Sequence, residues 1–100
     1  MARVRARMHP GRVLREEYME PMQLSASELA AALDVTPNRI TAIIDDNQRH
    51  TLTSDIALRL ARRFRTSPQF WLGLQTAYDL SMAHAMFGAE IEAKVRQLAA

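Results

Sequence analysis

The stretch LSASELAAALDVTPNRITAII, residues 24–44, carries two short helical patterns with only three residues between them. Ser25 and Glu28 form a capping box, in which the serine oxygen accepts a backbone N–H and the glutamate reaches back to the serine N–H. The pair Thr36-Pro37 is typical of a second helix start, because proline lacks the N–H that a first turn leaves unbonded. Two abutting helices cross steeply, and this stretch therefore predicts a helix-turn-helix.

The small and apolar residues of this stretch fit the sterics of that motif. Ala30 is small where the helices must cross, while Ile40 and Ile43 share one helical face and anchor the second helix in a core. Asp34 occupies the turn position that needs a left-handed backbone, which Asp tolerates better than most residues. The segment is therefore expected to be the helix-turn-helix core, at about residues 24–46.

With both isoleucines turned inward, the second helix is expected to expose its first turns. The residues that project outward there are Asn38, Arg39, Thr41 and Ala42. Arginine can clasp guanine and asparagine adenine through paired hydrogen bonds, each worth about 1–3 kcal/mol of discrimination. The pattern favours DNA recognition by this helix. The alternative is a solvated polar face on an ordinary helical hairpin.

Other candidate DNA-binding residues flank the second helix. Thr36 and Pro37 are expected mainly to shape its start, where backbone N–H groups also meet phosphate. Ser25 and Ser27 suit either capping or phosphate binding. Arg49 lies in the following loop, where it either contacts the DNA backbone or stays solvated. The full set of candidate DNA-binding residues is Ser25, Ser27, Thr36, Pro37, Asn38, Arg39, Thr41 and Arg49.

Apolar residues recur at helical spacing through the rest of the chain, without strand-like alternation. Outside the helix-turn-helix, the first helix is predicted from about Pro10 to Glu20. A fourth helix follows a cap at Thr53 or Ser54, and a fifth follows Ser67-Pro68. Gly88 is predicted to interrupt that helix. A final amphipathic helix would then align Ile91, Val95 and Leu98. The fold class is therefore all-α, with five to six helices in a single domain of residues 1–100.

Composition limits the functions that are open to the chain. Its 100 residues carry a net charge of +2, and twelve of the thirteen basic residues are arginine, which suits phosphate and guanine recognition. A high-GC genome, which favours arginine codons, explains this bias equally well. Because the chain has no cysteine and no apolar run of membrane length, we expect a cytoplasmic protein without membrane association. Three scattered histidines (His9, His50 and His84) and the lack of a Gly-rich phosphate loop predict no catalysis, cofactor or metal site.

An aromatic and methionine stripe follows Pro68. Its members are Phe70, Trp71, Leu74, Tyr78, Met82, Met86 and Phe87. Much of this stripe should be core, but so small a domain cannot bury all of it, and aromatic and methionine side chains are enriched at interfaces. We therefore expect a homodimer formed by the fifth helix and the C-terminal segment, about residues 84–100.

Two long blocks resemble the HigA-type antitoxins, small members of the XRE/Cro superfamily with a lambda-repressor-like helix-turn-helix domain. They are HPGRVLREEYMEPMQLSASELAAALDVTPNRI (residues 9–40) and DIALRLARRFRTSPQFWLGLQTAYDL (residues 55–80). The resemblance implies a dimer that binds a palindromic operator DNA upstream of its own operon and neutralises a HigB-like toxin of the RelE-like, mRNA-cleaving type. It places the family's recognition positions on Thr36, Asn38, Arg39 and Thr41.

The chain departs from the family pattern at several positions. Ala26 replaces a glutamine that supports the DNA backbone contact, and Asp34 replaces a glycine. Asp45 and Asp46 lie near the expected phosphates, which they would repel if they faced DNA. These residues favour one alternative, a helical protein-interaction module without DNA binding. A further alternative is a stand-alone XRE-family regulator that has no toxin.

Overall fold

The computed structural model describes residues 8–46 and 50–99, and every regular element within those ranges is helical. The chain begins with α1 (Pro10–Val13), which continues directly as a π-helical segment (Leu14–Met19). The other helices are α2 (Ala26–Leu33), α3 (Pro37–Ile44), α4 (Ser54–Phe64) and α5 (Pro68–Lys94). The all-α, helix-turn-helix prediction is confirmed.

The predicted first helix exists, but its second half is wider than an α-helix. The N–H of Glu20 donates to the carbonyl of Arg15, five residues back, at 2.9 Å. At the other end, the N–H of Gly11 donates to Nδ1 of buried His9 at 3.0 Å. Gly11 itself lies against the last turn of α3, where an added Cβ would overlap the carbonyl group of Ile43. The first helix is thereby fixed to the end of α3.

The turn between α2 and α3 has the predicted left-handed residue. Asp34 adopts φ 59° and ψ 48°, and the N–H of Val35 donates to the carbonyl of Ala30 at 3.0 Å. This is the Schellman arrangement, in which a left-handed residue lets the chain satisfy the last carbonyls of a helix. Ala30, Ile40 and Ile43 are buried, as the pattern predicts. The sharp junction is thus built from local hydrogen bonds and three core contacts.

One predicted cap lacks its side-chain bond. Thr36 does occupy the N-cap position of α3, but its hydroxyl makes no capping hydrogen bond. The N–H of Arg39, which such a cap would engage, donates instead to the backbone carbonyl of Thr36 at 3.0 Å. By contrast, Thr53 and Ser67 do cap α4 and α5, accepting from the N–H groups of Ile56 and Phe70. Thr36 therefore sets the helix start through its backbone alone.

The prediction that Gly88 ends a helix is wrong. Helix α5 runs for 27 residues through Gly88 to Lys94, and the residues after Val95 that the structure describes are not helical. A helical glycine costs only about 1 kcal/mol relative to alanine, which the good helix formers around it outweigh. Val95 and Leu98 therefore do not share a helical face with Ile91, and Leu98 is 97% exposed.

The core lies between α1–α4 and the first two turns of α5. Trp71 is completely buried, and its indole N–H donates to Oγ1 of Thr66 at 2.8 Å. The ring of Tyr18, on the π-helical segment, packs against both Trp71 and Phe64. Beyond Gln75 the helix leaves this core, and the chain measures 53 × 27 × 25 Å. Among the described helices, none combines the length and apolar character needed to cross a membrane.

Candidate DNA-binding surface

The exposed face of α3 gathers most of the candidate residues. Its two buried residues are Ile40 and Ile43. The opposite face carries the five predicted residues of this helix start, all of them exposed: Thr36, Pro37, Asn38, Arg39 and Thr41. Burial of one side by two isoleucines therefore presents the polar side to solvent, with the positive end of the helix dipole beside it.

Arg39 is held in place by an acidic residue of α4. Its Nη2 donates to Oδ2 of Asp55 at 2.9 Å, and Nε of Arg59 donates to Oδ1 of the same carboxylate at 3.1 Å. The hydrogen bond from Arg39, followed by that from Arg59, lowers the pKa of Asp55. Because both bonds favour the charged carboxylate, Asp55 remains an anion between two guanidinium groups.

Thr41 and Asn38 are joined within the helix. The hydroxyl of Thr41 donates to the backbone carbonyl of Asn38 at 3.2 Å. This bond directs the hydroxyl back along the helix, which is common for threonine in helices. The amide side chain of Asn38 stays on the exposed face beside Arg39.

Ser25 and Ser27 lie at the start of α2. Oγ of Ser25 accepts from the N–H of Glu28 at 3.0 Å, and the N–H of Ser25 donates to Oε1 of Glu28 at 2.8 Å, which confirms the predicted capping box. The bond from the Ser25 N–H, and then that from its hydroxyl, lowers the pKa of Glu28. Ser27 is exposed two residues after the cap. The eight residues of α2 separate Ser25 from the turn by about 12 Å along the helix axis.

The carboxylate of Asp46 has a cationic partner at the end of α3. Nη1 of Arg15 donates to Oδ2 of Asp46 at 3.1 Å and to the carbonyl of Ile44 at 3.3 Å. The hydrogen bond to Asp46 raises the pKa of Arg15. The negative charge expected to oppose phosphate is therefore offset locally. Arg49, and the N-terminal arginines before Met8, lie outside the described residues.

A shallow groove runs between the first turns of α3 and the start of α4. It holds about 390 Å³ and is lined by Asn38, Arg39, Ala42, Ile43, His50, Thr51, Thr53 and Ile56. The N–H of His50 donates to the carbonyl of Ala42 at 3.0 Å, which keeps this part of the loop close to α3. Sequence reasoning missed Asp55 and Thr51. Asp55 meets Arg39 across 16 positions of the chain, for which local sequence carries no signal.

The chain resembles known proteins both in sequence and in fold. No family profile matches the chain. It is 54% identical over 76 residues to virulence-associated protein I of Dichelobacter nodosus, a match that covers 76% of this chain and 68% of that protein. The chain spans 61% to 68% of the length of the first curated relatives that it matches.

Two solved structures match nearly end to end. A HigA-family addiction module antidote protein from Coxiella burnetii is 44% identical, with a TM-score of 0.85 over 92% of this chain and 98% of that one. The antitoxin GraA in complex with its operator is 43% identical, with a TM-score of 0.86 over 93% of this chain and 92% of that one. The similarity to these two antitoxins therefore extends, in sequence and in fold, over nearly the whole chain.

Proposed function

The chain belongs to the HigA family of helix-turn-helix antitoxins, and from this premise we propose that it binds an operator upstream of its own gene and represses transcription there. The observation that carries this proposal is the exposed polar face of α3 beside two buried anchors. A recognition helix enters the major groove by its N-terminal turns, where Asn38 and Arg39 lie here. GraA, a similar protein, has been solved with its operator.

Within that interface we assign base reading to Asn38, Arg39 and Thr41. The amide of Asn38 offers a donor and an acceptor, and the guanidinium of Arg39 offers paired donors, to base edges in the major groove. Contacts to the DNA backbone are assigned to the helix starts at Thr36-Pro37 and Ser25-Ser27, where the hydroxyl groups of Thr36, Ser25 and Ser27 can donate to phosphate oxygens. Arg49 is assigned to the DNA backbone only by its position in the sequence after α3.

The operator contact is proposed to involve a homodimer. The half of α5 beyond Gln75 exposes apolar side chains that no described element covers, including Leu80, Phe87 and Ile91. A depression of about 280 Å³ lies between Leu80 and Ile91, beside Ala83 and Gly88, and we propose that a side chain of the same helix from a second copy fills it. A two-fold pair would set two α3 helices about 34 Å apart, which is one turn of B-DNA.

The second proposed partner is a toxin of the RelE-like, mRNA-cleaving type. Similar chains are named as antitoxins, among them HigA-1 of Vibrio cholerae. A small basic neighbouring reading frame whose product arrests growth, and is silenced by co-expression of this chain, would support the pairing. A neighbour of another kind would leave a stand-alone regulator as the better reading.

The DNA proposal is tested by measuring retention of the chain on DNA from its own upstream region. Fluorescence anisotropy against a scrambled duplex of equal length, between 50 and 200 mM salt, is expected to show tighter and strongly salt-dependent binding to the natural sequence, with affinity falling roughly 10³- to 10⁵-fold if six to ten phosphates are contacted. Equal affinity for both duplexes would favour the interaction module without specific DNA binding.

A further inference from the structure

We propose that Asp55 is a positioning residue that sets the base specificity of Arg39, by linking it through Arg59 to the turn between α2 and α3. This inference rests on the proposed function, since it assigns to Asp55 a role in the same DNA interface. Asp55 is not proposed to contact a base itself. Its part is to decide where the guanidinium group of Arg39 points.

Without a partner, the side chain of Arg39 would be free to adopt many rotamers. Its side chain is 41% exposed at the start of a helix, and an unrestrained arginine has many rotamers, most of which are lost on docking. The bond from Nη2 to Asp55 restrains the group before DNA arrives. Since only one Nη2 hydrogen is needed for that bond, other N–H groups of the guanidinium can still meet a base edge.

Asp55 is itself held in place by hydrogen bonds. It lies in the first turn of α4, and its other oxygen accepts from Nε of Arg59 at 3.1 Å. Nη1 of Arg59 donates to the carbonyls of Leu33 at 2.8 Å and Asp34 at 3.2 Å. These carbonyls end α2. The chain of bonds therefore runs from the helix-turn-helix junction through α4 to the recognition helix.

Asp55 also acts on DNA through the negative charge of its carboxylate. A carboxylate at a DNA-binding surface opposes phosphate, so its removal alone should raise affinity for any DNA by lowering repulsion. If Asp55 positions Arg39, its removal should at the same time reduce discrimination between operator and other sequences. The electrostatic effect leaves the ratio of operator to scrambled-duplex affinity unchanged, whereas loss of positioning lowers that ratio, and this separates a positioning role from a merely electrostatic one.

Affinities for the operator and for a scrambled duplex are measured with the full chain. The proteins compared are wild type, Asp55→Asn, Asp55→Glu, Arg39→Ala and the double variant that combines Asp55→Asn with Arg39→Ala. The ratio of the two affinities is expected to fall about tenfold in Asp55→Asn, within the range that one base contact supplies. We expect binding to the scrambled duplex to be unchanged or tighter, Asp55→Glu to restore part of the ratio, and the double variant to lose no more than Arg39→Ala alone.

Asp46→Asn is the matched control. It also removes an exposed carboxylate paired with an arginine, but its partner is Arg15 and not a proposed base reader. Its affinities for both duplexes should rise together, with the ratio unchanged. Circular dichroism melting of each variant verifies that the fold is retained.

The outcomes separate the two proposals. A wild-type chain without preference for the operator would overturn both. If the wild type prefers its operator while Asp55→Asn keeps or increases that preference, the DNA function stands and the positioning role is wrong. Independent, additive losses in the double variant would also overturn it, because the two residues would then act separately.

Discussion

At the residue scale, two backbone positions decide how the recognition helix is held. Gly11 brings the first helix directly onto the end of α3, and Asp34 turns the chain from α2 into α3 with a positive φ. The role of Asp34 could be predicted from its spacing within the motif. The role of Gly11 could not, because its contact with Ile43 depends on packing between distant segments.

Gly11→Ala is expected to lower the free energy of unfolding by about 1–3 kcal/mol, because the new methyl group has to displace the end of α3. Urea denaturation followed by circular dichroism measures this change. Gly73→Ala is the control, since nothing lies within 4 Å of an added Cβ there. That variant should gain up to about 1 kcal/mol from helix propensity. Equal effects at both glycines would contradict the packing role of Gly11.

Asp34→Gly is expected to stabilise the chain, since a non-glycine residue in the left-handed region costs roughly 1 kcal/mol or more. Arg65→Gly provides the matched case, because Arg65 ends α4 with φ 57°. Both should raise the urea midpoint. A loss of stability at Asp34 alone would mean that its side chain contributes more to the turn than its backbone strain costs.

At the element scale, helix starts are the part of this fold that sequence predicts best. Ser25, Thr53 and Ser67 cap their helices through bonds to residues three positions away, which a local pattern can specify. Two features escaped prediction. The π-helical turn before Glu20 depends on how α1 packs, and continuity through Gly88 depends on a small propensity cost in a long helix.

The capping box makes a prediction about acid stability. The pKa of Glu28 is lowered from its ordinary 4.5 by the bonds from Ser25, so its stabilisation is present above pH 4.5 and is lost as pH falls through the lower folded pKa. Glu28→Gln keeps an N3 acceptor without a titrating charge. The wild-type urea midpoint should therefore decline relative to this variant below pH 4.5, whereas Glu92→Gln should decline in parallel with wild type. Parallel curves for all three would contradict the assignment.

At the scale of the whole molecule, the arrangement of the proposed recognition surface could be predicted only in part. The exposure of Asn38, Arg39 and Thr41 follows from one short segment, because the helical period and two buried anchors fix which face is exposed. The groups that hold them, Asp55 and Arg59, come from α4. Such contacts depend on how separate helices pack, which one sequence does not specify.

The exposed half of α5 predicts the oligomeric state. Phe87→Glu places a charge in the proposed interface, and light scattering should then report the 11.3 kDa mass of one chain, in contrast to twice that mass for wild type. Leu58→Glu is the control, because Leu58 is exposed on α4 and lies beside Ala32 and Leu33 of α2, outside the proposed interface. A wild-type monomer, or a dimer that survives Phe87→Glu, would contradict dimerisation through this face.

Recognition of operator bases by α3 can be tested by a base-substitution scan. Each operator base pair is changed in turn, and the affinities of wild type and Arg39→Ala are measured at one fixed salt concentration. Substitution of one guanine in each half-site should weaken the binding of wild type by about 1–3 kcal/mol. Arg39→Ala should bind the natural operator more weakly and become indifferent to that one base pair. An Arg39→Ala profile identical in shape to wild type would contradict recognition by this helix face.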